Sequence, residues 1–482
     1  MKDDEFRQAG HRLIDLLASY LETIEDRPLF PDVSPRRLSE LFDEPMPREG
    51  ATLAEVLQQV EEKLIPHCAH VGHPGYMGLI TPSPLPAGVL ADLLASGLNQ
   101  NVGAWTIGPS AVALERRTVR WLTDLVGWGD GAGGNLTSGG MAANFIGLKV
   151  ARDAVSGDTA QHRGVEGAWA AYTSEERHVS VDKAADCIGI GRQGLRVLPT
   201  DERFRLRLDA LEQAIREDRA RGVRPLCIVA MGGSTNTGAV DDLEALRRIA
   251  DRESMWLHVD AAYGGGMLLS HRYPGRLAGL HLADSVTIDP HKWFYAPLDV
   301  GAILVKDERR LTASFGMSPA YLTDEMDAEG ERYNYYVHGF EQSRRFRGLK
   351  VWMSLKRYGA KQIGAWVDAN VDQARRLYEL AHEHPKFEPA VEPLMSAVCL
   401  RYTGGPGGPD EDAVAGLHAR VARRVEEGGR FWFSTTVLKG KTWFRVNPVN
   451  FRTRMEHMDE LFDLLVRECA SPERPSRGSS RP

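Results

Sequence analysis

Residues 285–293 read Ser285-Val286-Thr287-Ile288-Asp289-Pro290-His291-Lys292-Trp293. The β-branched run Val286 to Ile288 predicts a strand, and Pro290 ends it. Lys292 follows at the mouth of that strand and precedes the aromatic group Trp293-Phe294-Tyr295. Apolar sequence on both sides predicts a buried stem for this lysine. Burial penalises the ammonium and lowers its pKa. A neutral lysine amine is a nucleophile that forms a Schiff base with an aldehyde. On this stretch alone, a lysine that merely closes a strand end is the simpler reading.

A second stretch shifts the balance. Upstream lies Trp256-Leu257-His258-Val259-Asp260-Ala261-Ala262-Tyr263-Gly264-Gly265. An apolar strand that delivers an aspartate and then small residues holds a carboxylate in a tight, dry place. A helix-cap or turn aspartate is the plainer use of that residue. Together, Asp260 and Lys292 match the needs of pyridoxal phosphate (PLP). The lysine carries the aldehyde, and the aspartate keeps the pyridine nitrogen protonated so that the ring is an electron sink. Ala262 is small enough to lie against one ring face.

His-Val-Asp-Ala-Ala-Tyr followed by Asp-Pro-His-Lys-Trp resembles the PLP-dependent group II amino acid decarboxylases, the aromatic amino acid and glutamate decarboxylase group. Order, spacing and neighbours agree, and the likeness runs from the N-terminal helices to the last strand. It implies an α/β protein of fold type I, aspartate aminotransferase-like. That fold has a mostly parallel seven-stranded sheet in a large domain, a small α+β C-terminal domain and an N-terminal helical dimerisation segment. The expected division is 1–85, 86–365, 366–470 and a disordered tail, 471–482, rich in Pro, Ser, Arg and Gly.

Composition agrees with a globular enzyme. The chain has 482 residues, 43% of them hydrophobic, enough for two or three domains. A net charge of −7 with mixed signs gives no reason to expect nucleic acid. The five cysteines are scattered, odd in number and without metal spacing, so neither a disulfide framework nor a metal site is expected. The polar start Met1-Lys2-Asp3-Asp4-Glu5 is unlike a signal peptide, and no apolar run reaches membrane-spanning length. A cytoplasmic protein is expected.

Apolar periodicity predicts helices from Glu5 to Ile24 and from Leu53 to Ile65. They have no obvious sheet of their own to cover. The resemblance implies that they pack across a partner subunit in an obligate homodimer; packing within one subunit is the alternative. Further helices are expected at Ala87 to Leu98, Leu114 to Val126, and from the Thr137-Ser138-Gly139-Gly140 turn to Val150. Strands follow at Ala170–Thr173, Leu195–Leu198, Leu226–Ala230, Met255–Val259, Val286–Ile288 and Gly301–Val305. Intervening helices are expected at Val181–Ile188, Leu208–Arg219 and Asp242–Asp251. This alternation predicts a largely parallel sheet covered on both faces, with the site at strand ends. Leu349–Tyr358 and Trp366–His382 predict helices leading to the small domain. There, strands are expected at Ser396–Tyr402, Phe431–Val437 and Thr442–Asn447, before a last helix, His457–Cys469.

A glycine turn that opens a helix offers free N–H groups to a phosphate, although alone it is only a turn. Here the turn falls where the resembling family binds the cofactor phosphate. Met141 stands where a hydroxyl residue is common, which leaves the main chain and His291 to hold the phosphate. The resemblance makes Gly139, Gly140, His178, Thr235, Asp260, Ala262, Asp289, His291 and Lys292 the cofactor contacts. His178 would stack on the ring and guide the substrate carboxylate. Asp241 would lie near the ring. Tyr321, in Ser318-Pro319-Ala320-Tyr321-Leu322, would sit on a mobile lid and protonate Cα after carbon dioxide leaves. Lys292, His178, Tyr321 and Asp260 are thus the expected catalytic set. Tyr76, Ile80, Pro82, Asn101, Trp105 and Ser343 would line the substrate pocket. One of Arg344 and Arg345 would brace the site through an ion pair.

These expectations point to α-decarboxylation of an L-amino acid, with an aromatic substrate first. Leu98-Asn99-Gln100-Asn101 looks more like the glutamate and diaminobutyrate branches, so an acidic or diamino substrate is the alternative. An aminotransferase would need an arginine for the α-carboxylate, and Arg445 could be offered. A desulfurase would need a cysteine in a glycine-rich loop, and none is evident. An aldehyde-forming variant is linked, in the family, to loss of the stacking histidine or lid tyrosine, and both are present. A non-catalytic cofactor-binding protein would have no use for the lid tyrosine.

Overall fold

The computed structural model describes residues 3–157, 159–317, 331–405 and 407–471. They form two compact units. The larger takes Ile80–Arg375 and Val391–Cys399; the smaller takes the chain up to Leu79, Arg376–Ala390 and the chain from Leu400.

The larger unit is built on a seven-stranded sheet. Its strands are β1 (Gly133–Thr137), β2 (Trp169–Ser174), β3 (Leu195–Leu198), β4 (Arg224–Met231), β5 (Trp256–Asp260), β6 (Ser285–Ile288) and β7 (Gly301–Val305). They lie in the order β1-β7-β6-β5-β4-β2-β3. The pairs β3–β2, β2–β4, β4–β5 and β5–β6 are parallel. Strand β7 runs antiparallel to β6 and β1. Strands β5 and β6 are buried throughout, as expected of strands covered on both faces. On one side, Ala143, Ile146 and Val150 of a helix at Gly140–Ser156 join Val181 and Ala185 of a helix at Val179–Cys187. Both sets pack on Cys227, Val229, Met231, Ile303 and Val305. Helices at Leu208–Ala220 and Leu243–Glu253 pack on β3, β4 and β5. The Leu243 helix starts where the Asp242 carboxylate accepts from Ala245 N at 3.0 Å, an N-cap.

Strand β1 was the one not legible from composition. Gly-Gly-Asn-Leu-Thr is a poor strand former, yet all five residues are buried. Gly134 belongs there because a Cβ would come within 2.3 Å of the Ile303 carbonyl oxygen. Some boundaries also differ from the sequence expectation. The helix expected from Leu114 begins at Pro109, since proline suits the first helical turn. The helix from Leu53 ends at Gln59, and a π-turn, Val60–Leu64, carries the chain on to Pro66. The two helices expected after Gly348 form one span, Gly348–Glu383, broken at Gly359, whose φ of +73° only glycine adopts readily.

The smaller unit joins the N-terminal segment to a four-stranded sheet. Its strands are β8 (Phe387–Pro389), β9 (Val398–Tyr402), β10 (Ser434–Leu438) and β11 (Lys441–Val446), in the order β10-β11-β9-β8. Lys439 and Gly440, both at positive φ, turn the β10–β11 hairpin. The N-terminal segment meets the same unit through main-chain bonds. Trp432 N donates to Gly75 O (2.9 Å), Met77 N to Trp432 O (2.8 Å) and Asn447 N to Met77 O (2.9 Å). Among the described residues, no helix is long and apolar enough to cross a membrane.

Candidate active site

The candidate residues of the larger unit gather where β4, β5 and β6 end. Asp260 is the last residue of β5, and Asp289 follows β6. Asp289 N donates to Ala262 O (3.0 Å) and Lys292 N to Asp289 O (2.8 Å), which turns the chain back on itself. The side chains of Trp293, Phe294 and Tyr295 are buried and anchor the turn. Trp293 Nε1 and Tyr295 Oη both donate to Asn370 Oδ1, at 3.1 and 2.8 Å. Lys292 therefore leaves a fixed base. Its Nζ lies 3.0 Å from Asp289 Oδ2, and its side chain stays 22% exposed. Asp289 is almost fully buried, and its Oδ1 has no hydrogen-bond partner.

The glycine turn lies directly against this pair. A Cβ on Gly140 would fall 2.7 Å from Asp289 Oδ2 and 3.1 Å from Ala262 Cβ. One on Gly139, at φ +148°, would fall 3.1 Å from His291 Cε1. His291 Nδ1 accepts from Val300 N at 3.1 Å, which leaves Nε2 on the site side, 3.7 Å from Asp289 Oδ2. Asp260 accepts from Ala262 N (3.1 Å) and from Asn144 Nδ2 (2.7 Å). His178 caps the helix at Val179–Cys187. Burial holds its pKa below the ordinary imidazole value, against the opposing pull of the Asp260 carboxylate; Lys292 and Asp289 also act on it. Thr235 lies half-buried in the turn after β4, beside Gly233 at φ +112°.

Comparison with known proteins agrees with this geometry. The family description "Pyridoxal-dependent decarboxylase conserved domain" matches residues 35–403. The aromatic-L-amino-acid decarboxylase of Bacillus atrophaeus is 33% identical over 460 residues, 94% of this chain and 93% of its own. The chain belongs to the pyridoxal-dependent decarboxylases. The phenylacetaldehyde synthase of Arabidopsis thaliana is 29% identical over 481 residues, 98% of this chain and 97% of its own. The crystal structure of Oryza sativa TDC with PLP and tryptamine superposes with a TM-score of 0.91 at 26% identity. The match covers 97% of this chain and 98% of that one.

The cofactor of this decarboxylase is PLP, and the residues fit it. The cradle at Gly139 and Gly140 is a space a side chain would fill, next to the start of a 17-residue helix whose first N–H groups suit an anion. A lysine amine and a carboxylate stand at the adjoining ends of β6 and β5, and the exposed imidazole of His178 follows β2.

The expected pocket residues fall in both units. In the larger unit, Asn101 Oδ1 accepts from Gly103 N (2.9 Å) and Arg344 N (3.0 Å). That carbonyl oxygen therefore shapes the loop beside Ser343. Trp105 N donates to Asn334 Oδ1 at 3.0 Å. Ile80 is half-buried and Pro82 buried in the segment leading to the helix at Pro86–Leu98. Tyr76, in the smaller unit, packs against Trp432 with ring centroids 4.8 Å apart and planes tilted by 45°. Tyr321 and the lid expected around it lie outside the described residues.

Four charged residues find other employment than a substrate contact. Arg344 is wholly buried, with Nη2 2.6 Å from Glu115 Oε1 and 2.8 Å from Leu136 O, and with Asn135 also bound. It ties β1 to the Val102 loop, since its Nη1 reaches Val102 O at 3.3 Å. Arg345 is largely exposed and meets Asp92 at 3.1 Å. Arg445, the residue an aminotransferase reading needs, is buried and spends Nη1 on Gly78 O (2.9 Å) and Ser434 Oγ (3.3 Å). Asp241 accepts from Leu206 N and Met231 N, both at 2.7 Å, so its two oxygens brace the backbone.

The sequence reading missed Asn144, Ser180 and Glu115. One signal was available: asparagine is a poor residue for a helix interior, and Asn144 sits one turn into its helix. Glu115, also fully buried on a helix, gave no such signal, because glutamate is ordinary in helices.

Proposed function

We propose that this decarboxylase acts on an aromatic L-amino acid and releases the amine and carbon dioxide. The carrying observation is the placement of Lys292 and Asp260 on adjoining strand ends with His178 beside both, in a chain 33% identical to an aromatic-L-amino-acid decarboxylase. Lys292 would bind the cofactor aldehyde, Asp260 the ring nitrogen, and Gly139, Gly140 and His291 the phosphate. Bound there, PLP supplies an electron sink for the pair left on Cα when the carboxylate departs. His178, whose pKa local desolvation lowers, would lie on the ring and orient the substrate carboxylate. Tyr321 would give the proton that Cα needs; a phenol of pKa about 10 stays protonated at neutral pH.

A panel of amino acids with carbon dioxide release as readout tests the substrate class. Fastest turnover of glutamate or 2,4-diaminobutyrate would overturn the aromatic choice. The likeness to a phenylacetaldehyde synthase makes product analysis part of the test. Wild type should give amine. Tyr321→Phe, which keeps the ring but removes the proton, should lose amine and under air give aldehyde, ammonia and peroxide. A Tyr321→Phe enzyme that still makes amine at the wild-type rate would move the proton to another donor, with His178 the next candidate.

The enzyme is further proposed to be an obligate homodimer of the cytoplasm. Each unit leaves an apolar helical stripe in solvent. Phe6 is 63% exposed on the helix Asp3–Glu22, and Leu90, Leu94 and Leu98 recur every four residues, exposed, on Pro86–Leu98. Such stripes favour a self-complementary interface. Sedimentation at micromolar concentration should find no active monomer. The five cysteines form no disulfide, as suits a reducing compartment.

A further inference from the structure

Behind the site runs a chain of buried polar side chains whose proton positions are dictated from both ends. Ionised, Asp260 can only accept, so the Asn144 amide turns Nδ2 toward Oδ2, at 2.7 Å. The same Nδ2 donates its second hydrogen to Ser180 Oγ at 2.8 Å. Asn144 Oδ1 therefore faces His258 Nε2 at 3.0 Å, and that nitrogen must carry a hydrogen. His258 Nδ1 is left to accept from the Ser285 hydroxyl at 2.8 Å. At the far end Trp256 Nε1, which can only donate, gives to Ser285 Oγ at 2.8 Å, so the serine hydrogen is free to point at His258. Both ends demand the same polarity.

A branch leads to His178. Having accepted from Asn144, the Ser180 hydroxyl donates to His178 Nδ1 at 2.9 Å, and Ser180 N–H reaches the same nitrogen at 3.2 Å. Two donors on Nδ1 place the hydrogen of His178 on Nε2, the nitrogen not engaged with Ser180. Asn144, Ser180, His258 and Ser285 are all at least nine-tenths buried, so water does not substitute for any link. Burial also holds His258 down to about 4, hence neutral, as the chain requires. The helix makes room for the arrangement at Gly147, where a Cβ would fall 2.6 Å from His258 Cε1.

We propose that Asn144 is a positioning residue that locks Asp260 and His178 into one proton-ordered unit. It fixes the carboxylate in orientation for the cofactor's ring nitrogen. Through Ser180 it sets His178 as the neutral tautomer that presents an Nε2–H donor to the substrate carboxylate. The proposal rests on the reading above, in which both residues face PLP.

The test uses the holoenzyme and three variants, Asn144→Leu, Asn144→Asp and Ser180→Ala. Two readouts are needed: the pH titration of the bound cofactor's visible absorption, and the pH profile of kcat/KM. Asn144→Leu removes a hydrogen bond to a charged group, so kcat/KM should fall roughly 10- to 100-fold, and the cofactor band should titrate at a shifted pH. Asn144→Asp keeps the shape and sets a carboxyl against Asp260, so it should displace the band even if the leucine variant folds poorly. Ser180→Ala should leave the band's titration at wild type. The acid limb of its kcat/KM profile should move to higher pH, because Nδ1 loses an O–H donor that favours the neutral ring. The charged groups facing His178, namely Asp260, Lys292, Asp289 and Asp182, are unchanged in that variant. Asn144 variants with a wild-type band titration and kcat/KM within twofold would overturn the proposal. So would a Ser180→Ala enzyme whose band shifts as far as that of Asn144→Leu. A wild-type protein that binds no cofactor at Lys292 would instead overturn the functional reading, and the proposal with it.

Discussion

Two charge clusters lie buried in the larger unit, and they are built differently. Arg344 and Glu115 are both fully buried, and each is bound on more than one side. The guanidinium holds Glu115, Asn135, Leu136 O and Val102 O, and Glu115 Oε2 takes Gly348 N at 3.3 Å. Lys292 and Asp289 are left incomplete. Among the described residues Asp289 Oδ1 has no hydrogen-bond partner, as is also true of Arg344 Nε, but the lysine keeps 22% of its side chain open where Arg344 and Glu115 keep none. A buried ion pair is stable only when its remaining valences are met. A pair with spare valences beside a glycine cradle is arranged for something that arrives. Arg344 therefore belongs with the fold, and the half-open pair fits the role proposed above for Lys292.

Removing Lys292 gives the largest expected effect on activity. Lys292→Ala should lose the cofactor that borohydride traps on the wild-type protein, together with essentially all decarboxylation. Peptide mapping of the reduced wild type locates the label, and a label on any peptide without Lys292 would break the comparison at its centre. The melting temperature of the cofactor-free variant should fall less than that of cofactor-free Glu115→Leu, since the lysine end of its pair already keeps 22% of its side chain in solvent.

Glu115→Leu should do the reverse. It strands a guanidinium in the core, a loss of about 3–5 kcal/mol in unfolding free energy. Urea denaturation of the cofactor-free protein measures it. Activity per folded molecule, read at low temperature, should fall far less than in Lys292→Ala. Equal stability in Glu115→Leu and wild type would show that the Arg344 pair is not what holds β1 to the Val102 loop. Arg345→Ala, beside Arg344, removes the partly exposed contacts to Asp92 and Asp299 and should cost no more than about 1 kcal/mol.

The same contrast explains what could be read from the sequence. Lys292 and Asp260 were legible because apolar strands deliver them to strand ends, and period and punctuation reveal strand ends. The sheet was legible for six strands. Strand β1 was not, because its glycines are chosen for closeness to β7 rather than for strand propensity. Arg344 and Arg345 were indistinguishable as letters. Only packing makes one the core of a network and the other a surface residue. Asn144 and Ser180 were hidden for a related reason: Asn144 meets Asp260 on β5 and Ser180 on another helix, 116 and 36 residues away in sequence. Asp241 was expected near the ring because it resembles a family position there. Its oxygens serve two backbone N–H groups instead, and burial lifts its pKa to about 6.

The smaller unit supplies the weakest case, where a charge pair is neither buried nor incomplete. Glu25 meets Arg454 at 2.7 Å and His457 at 3.3 Å, and the Arg454 guanidinium is the main cause that lowers its pKa to about 2. A carboxylate depressed in the folded state stabilises it above the ordinary value of 4.5, and the stability is lost as pH falls through about 2. Taken at face value such a shift is large. Yet 34% of the Glu25 side chain and 55% of Arg454 remain in solvent, so screening reduces the pair to under about 1 kcal/mol. Arg454→Ala should therefore lower stability at pH 7 by less than 1 kcal/mol. It should flatten the loss between pH 4.5 and 2, and 1 M salt should erase most of the difference from wild type. A loss of 3 kcal/mol or more that persists in 1 M salt would place Glu25 with Glu115, among the charges that hold the fold.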